Sequence, residues 1–133
     1  MANVLCVSHE WNLGFEELRA LADVGFRVIA AASGLEAVKQ FAAREINAIV
    51  VNRRLPDIDV NELVSFFRHQ DRGIPIVMLS TVMPMQSAPA MVDAVIHKHG
   101  CAALLPPTLQ VLLASRSPRP EVPEGDGALP QAA

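Results

Sequence analysis

A handful of residues in this chain carry side chains able to do chemistry and stand where short apolar runs stop. Ser8, His9 and Glu10 follow Val4-Leu5-Cys6-Val7, Asn52 follows Ile49-Val50-Val51, and Ser80 follows Ile76-Val77-Met78-Leu79. Each run reads as a buried strand, and in an open α/β sheet ligands gather just past the carboxyl ends of the strands. His9, Glu10 and Asn52 at such an edge raise the question of a metal site, but one imidazole and one carboxylate are too few ligands. Ser8 or Ser80 with His9 raises that of a hydrolase, yet there is no Gly-x-Ser-x-Gly elbow and no third group to orient the base. Arg53 and Arg54 are candidate anion binders at the same edge, against the plainer reading that they are solvated or pair with Asp57 and Asp59. Cys6 and Cys101 lie in apolar contexts without C-x-x-C spacing and read as buried thiols. No catalytic residue emerges, and the expectation is a protein that is not an enzyme and holds no metal.

The elements that must position these residues follow from periodicity. Ile49-Val50-Val51 has no polar alternation, as expected of a central strand covered on both faces. The preceding helix has Phe15, Leu18, Leu21 and Ala22 at helical spacing, with Asn12 placed to cap it and Gly25 to close it. Residues 26–31 read as the second strand. Ser33-Gly34-Leu35-Glu36 has capping-box spacing and opens a helix expected to bury Leu35, Val38, Phe41 and Ala42. Asp59 is placed to cap a third helix with Leu63, Val64 and Phe67 inward and Phe66 half exposed. After the fourth strand, uncharged Val82-Met83-Pro84-Met85 reads as an extended loop before a helix over 90–99 with Met91, Val92, Val95 and Ile96 inward. Cys101-Ala102-Ala103-Leu104-Leu105 is the expected fifth strand, stopped by Pro106-Pro107, with a short helix over 109–114.

At 133 residues, 51% hydrophobic and 19% charged, the chain suits one domain over residues 1–115. The prolines and glycines beyond Ser115 predict a disordered tail over 116–133. The net charge of −3 gives no reason to expect nucleic acid or an anionic membrane as partner. No apolar run reaches membrane-spanning length and the opening Met-Ala-Asn-Val lacks a basic stretch, so a cytoplasmic location is expected.

Gly25 through Val38, the loop Leu55-Pro56-x-x-Asp59, Ile74 through Ser80, and Gly100-Cys101-Ala102 together resemble the receiver domain of bacterial two-component response regulators, over roughly residues 3–114. The resemblance implies a flavodoxin-like, doubly wound five-stranded parallel sheet in strand order 2-1-3-4-5 with helices on both faces. It also implies phosphoryl transfer to an aspartate at the tip of the third strand, assisted by magnesium. That aspartate falls on Asn52 and the acidic pair on Ser8 and His9, with Glu10 one position late. The hydroxyl position falls on Ser80. The lysine falls on Pro107, or on Pro106 with one deletion, and the aromatic switch position on Leu104 or Ala103.

A carboxamide cannot become an acyl phosphate, and hydroxyl and imidazole do not replace carboxylates around magnesium. The expectation is a pseudo-receiver that signals by phosphorylation-independent contact with a protein partner or a second copy of itself. Met83, Met85 and Leu104 are the candidate contact residues. A flavodoxin-type cofactor would need a glycine- and hydroxyl-rich phosphate loop, which Ser8-His9-Glu10-Trp11-Asn12 is not, so no cofactor is expected. The alternative is a small-ligand or anion binder using the vacated pocket around Ser8, His9, Asn52, Arg53 and Ser80, within a degenerate phosphorylation pocket that also takes in Glu10, Arg54, Pro106 and Pro107.

Overall fold

The computed structural model describes residues 2–9, 15–81, 91–98 and 100–115. Glu10, Met83, Met85, the expected cap Asn12 and the expected tail over 116–133 lie outside the described residues. The described chain runs β1 (Asn3–Val7), α1 (Phe15–Asp23), β2 (Arg27–Ala31), α2 (Gly34–Ala43), β3 (Ala48–Asn52), α3 (Val60–Gln70), β4 (Ile76–Ser80), β5 (Ala94–His97) and α4 (Cys101–Ser115). The strands form one parallel sheet in the order β2-β1-β3-β4-β5, as the resemblance implies.

The central strands are apolar without alternation because both of their faces are covered, and the strand period of two divides their side chains between two cores. Leu5, Val7, Ile49, Val51, Ile76 and Met78 join Ala37, Leu63, Val64 and Phe67, on the side of α2 and α3. Val4, Cys6, Ala48, Val50, Val77 and Leu79 join Leu21, Leu105 and Leu109, on the side of α1 and α4. Phe67 is fully buried and packs against the rings of Phe41 and Phe66, at 5.0 and 5.6 Å between centroids. Its burial alone stabilises the fold by about 1.5–3 kcal/mol.

The helix boundaries obey their caps. Ser33 Oγ accepts the Glu36 N–H at 3.1 Å, and Asp59 Oδ1 accepts the Asn61 N–H at 2.8 Å. Gly25 ends α1 with φ at 101°, a conformation that costs a side chain dearly. The inner faces differ in detail from expectation. Leu35 is 60% exposed and Ala42 and Ala22 are exposed, because α2 turns Gly34 and Ala37 inward and α1 turns Leu21 inward.

The larger correction lies after β4. Residues 94–97, expected within a helix, are the fifth strand, paired with β4 from Val77↔Ala94 to Ser80↔His97. Residues 101–105, expected as that strand, open α4, which runs through Pro106 and Pro107. Met91, Val92, Val95 and Ile96 fit helical spacing, but the β4 edge needed a parallel partner and the short Ala-Val-Ile run supplies it. The two prolines leave the carbonyls of Ala102 and Ala103 without i+4 donors. Leu105 and Leu109, both essentially buried in the α1 side core, offset that loss.

Candidate functional site

The carboxyl ends of β1, β3, β4 and β5 form one edge, and the polar residues at these tips are buried rather than solvated. Ser8 is 3% exposed, Asn52 4% and Ser80 0%. Ser8 extends β1 and its N–H donates to Ala31 O at 3.0 Å, while Val7↔Val51 pairing brings Ser8 level with Asn52. The Asn52 Nδ2 donates to Ser8 Oγ at 3.3 Å, so the two are a hydrogen-bonded pair that spans adjacent strands. A carboxylate in place of either side chain would put two acceptors where this pair has a donor and an acceptor.

Ser80 closes β4, and its carbonyl accepts the Lys98 N–H at 2.8 Å. That bond corrects the expectation for the lysine. Because β5 ends at His97, the residue following the fifth strand is Lys98, half-buried, and not Pro106 or Pro107. Pro106 is buried and Pro107 exposed, both on α4 away from the strand tips. The aromatic position, three residues before the lysine, falls accordingly on half-buried Val95 rather than on Leu104 or Ala103. The signal that could have found Lys98 was the short apolar run Ala94-Val95-Ile96 between Asp93 and His97-Lys98.

His9 is exposed beside Ser8. Arg53 is half-buried with its N–H on Leu79 O at 2.8 Å, and Arg54 is exposed. Taking the last residue of each strand and the two after it, the described charged or ionisable side chains are His9, Arg53, Arg54, His97 and Lys98, with no Asp or Glu among them. Two described carboxylates near this edge are held by backbone: Glu36 Oε1 accepts the Ala32 N–H at 3.0 Å, just past β2, and Asp57 grips the start of α2. Its Oδ1 accepts the Gly34 N–H and its Oδ2 the Leu35 N–H, each at 2.9 Å, which ties the β3–α3 loop to the first turn of α2. Those N–H groups, Leu35 first, hold its carboxyl below the usual carboxylate range.

Cys6, under this edge in β1, is fully buried, and burial with a smaller push from the Glu17 charge raises its thiol to about 12. A thiol so protonated is no nucleophile at neutral pH. Among the described residues no cluster of three or more His, Cys, Asp or Glu could hold a metal ion, and no helix is long and apolar enough to cross a membrane.

At the opposite edge, Arg68 of α3 holds the starts of β4 and β5 together. Its guanidinium donates to the carbonyls of Met91, Arg72 and Ile74 and to Asp93 Oδ2 at 2.8 Å, and the same Asp93 oxygen accepts the Ile76 N–H at 2.8 Å. On α4, Leu104 is 52% and Val111 66% exposed, and the helix from Cys101 to Ser115 has no charged side chain at all. Leu104 and Val111, seven residues apart, share its outer face.

Solved structures of similar shape are response-regulator receivers. The chemotaxis response regulator CheY4 of Vibrio cholerae is 27% identical over 84% of this chain and 98% of its own, with a TM-score of 0.76. TrrA from Thermotoga maritima, solved in complex with Mg(2+)-BeF, is 21% identical over 84% of this chain and 99% of its own, with a TM-score of 0.76. A two-component response regulator from Clostridium difficile is 18% identical over 86% of this chain and 98% of its own, with a TM-score of 0.79. No protein-family model matches the sequence, and no curated protein matches it.

Proposed function

From the premise that this chain is a response-regulator-like receiver domain, we propose that it is a non-catalytic signalling module, working by protein contact and independently of aspartyl phosphate. One observation carries the reading: the tip of β3, the acceptor position by resemblance, is Asn52, a buried carboxamide paired with Ser8 at 3.3 Å. An amide has no carboxylate oxygen on which an acyl phosphate could form.

Magnesium, which accompanies the TrrA structure, does not fit the described donors. It asks for hard, charged oxygens in near-octahedral geometry, and the described strand tips present hydroxyls, a carboxamide, two imidazoles and cations. Lys98 is present, so within the pocket the departure lies in the acids, while the aromatic position falls on Val95. Ser80 and Lys98 remain in the places that the resemblance gives to the hydroxyl and the cation.

The outer face of α4 supports contact as the output. A solvated helix ordinarily carries charges opposite its buried stripe, and α4 exposes Leu104, Pro107 and Val111 with only Gln110, Ala103, Ala114 and Ser115 around them. The test is incubation with acetyl phosphate and magnesium followed by intact mass measurement. An unchanged mass is expected, and a gain of one phosphoryl group on the β1–β3 edge would overturn the proposal.

A further inference from the structure

Leu104, Pro107, Val111 and Ala114 are all exposed, at successive spacings of three, four and three residues along α4. That is the spacing of a helix–helix seam, here on the side of α4 turned away from buried Leu105 and Leu109. A solvated face ordinarily carries charge, and residues 101–115 carry none. We propose that this seam docks a second copy of the chain, as an antiparallel α4–α4 pair about a twofold axis beside Pro107. The proposal rests on contact being the output of this chain and names the partner.

Three features favour a copy of this chain over an unrelated helix. The seam is self-complementary: Leu104 and Val111 lie about 10 Å apart along the helix axis, on either side of Pro107. An antiparallel twofold therefore sets Leu104 of each copy against Val111 of the other, with Pro107 against itself. The seam is also neutral. A chain of net charge −3 would meet its own like charges across a charged twofold face, and α4 brings none together. The third feature is in the backbone. Pro107 has no N–H, so the carbonyl of exposed Ala103 lacks its helical donor. Ala103 and Gln110 are seven residues apart on one flank of the seam, and an antiparallel pair sets like flanks face to face. The Gln110 amide of one copy can then donate to the Ala103 carbonyl of the other. α4 presents a face of about 22 Å by 10 Å, well below the roughly 800 Å² a side of a standard stable interface. The dimer is accordingly weak and reversible, with a dissociation constant on the order of 100 µM.

The test is sedimentation equilibrium of the full chain from about 5 µM to about 1 mM, with thermal midpoints showing that each variant is folded. A monomer–dimer equilibrium is expected, changing by less than about threefold between low and high salt. Leu104→Glu and Val111→Glu should each weaken it at least tenfold, because each buries a charge against an aliphatic side chain. The double variant Leu104→Glu, Val111→Lys places opposite charges together only in the antiparallel register. It should associate more tightly than either of its single changes at low salt and lose that gain at high salt. A chain that stays monomeric to about 1 mM, as it would with residues 116–133 folded over α4, would overturn the proposal. So would a dimer that both glutamate variants leave unchanged, or a double variant no tighter than its singles. A phosphoryl gain with acetyl phosphate would instead defeat the function proposed above and leave the sedimentation result standing.

Discussion

Asp57 reaches across 23 residues of chain to accept the backbone N–H of Gly34 at 2.9 Å, and the closeness of that approach depends on Gly34 having no side chain. A Cβ built there would lie 2.2 Å from Ile58 Cγ2. Gly34→Ala is therefore expected to destabilise by about 1–3 kcal/mol in urea denaturation, as overpacking does. Ile58→Ala removes the obstructing methyl, so the double variant should lose less than the sum of the singles.

The same carboxylate makes a pH prediction. Its folded pKa is depressed from 3.8 by the Leu35 and Gly34 N–H groups. Its contribution is present above 3.8 and is lost as pH falls through the folded value. Asp57→Asn should thus flatten the acid limb of the stability curve relative to wild type, while a limb of unchanged slope would show that Asp57 does not contribute to it.

Cys6 predicts the alkaline limb. Its thiol is raised from 9.0 to about 12, so above pH 9 the unfolded chain ionises while the folded chain keeps the proton. Stability should fall between pH 9 and 12 with a slope of up to about 1.4 kcal/mol per pH unit from this group. In a Cys101→Ser background, a thiol reagent should label Cys6 only at the rate of global unfolding. Rapid labelling of the native protein would contradict its burial.

Much of this architecture was legible because it is local. Three unbroken β-branched residues placed β3, the Ser33 and Asp59 caps placed α2 and α3, and strand tips placed Ser8, Asn52 and Ser80 at one edge. The segment from Met91 to Pro107 was not legible. Its apolar spacing fits a helix as well as a short strand, and the proline pair looks like a stop although α4 continues through it. That single displacement hid Lys98. The grip of Asp57 on α2 leaves no local pattern either, since its partners lie 22 and 23 residues away.

Arg68 should matter more than an ordinary surface arginine, because one planar guanidinium serves three carbonyls and Asp93. Arg68→Ala is expected to cost about 2–3 kcal/mol. Arg68→Lys should recover less than half of that, since an ammonium cannot reproduce the fork. Full recovery in Arg68→Lys at low salt and loss of it at high salt would mean that charge alone holds the clamp.

Leu104→Glu and Val111→Glu test the output face. Both side chains are more than half exposed, so the folded chain should keep its thermal midpoint within the range of ordinary surface changes, about 0.5 kcal/mol in stability. Recovery of partner protein from the native cell extract by the tagged chain should fall sharply. Unchanged recovery in the double variant would remove α4 from the contact surface.

The central claim, that the missing acids alone separate this edge from a phosphorylatable one, is tested most directly by intact mass after acetyl phosphate and magnesium, on three proteins. Wild type and Asn52→Asp should both stay unmodified, because one carboxylate at the tip of β3 cannot hold the metal that stabilises the transferring group. The triple variant Ser8→Asp, His9→Asp, Asn52→Asp restores the acids beside native Ser80 and Lys98 and should gain one phosphoryl group on residue 52. Modification of the wild-type edge would contradict the account outright. A triple variant that binds magnesium, judged by a metal-dependent rise in thermal midpoint, and still stays unmodified would show that more than the acids is missing.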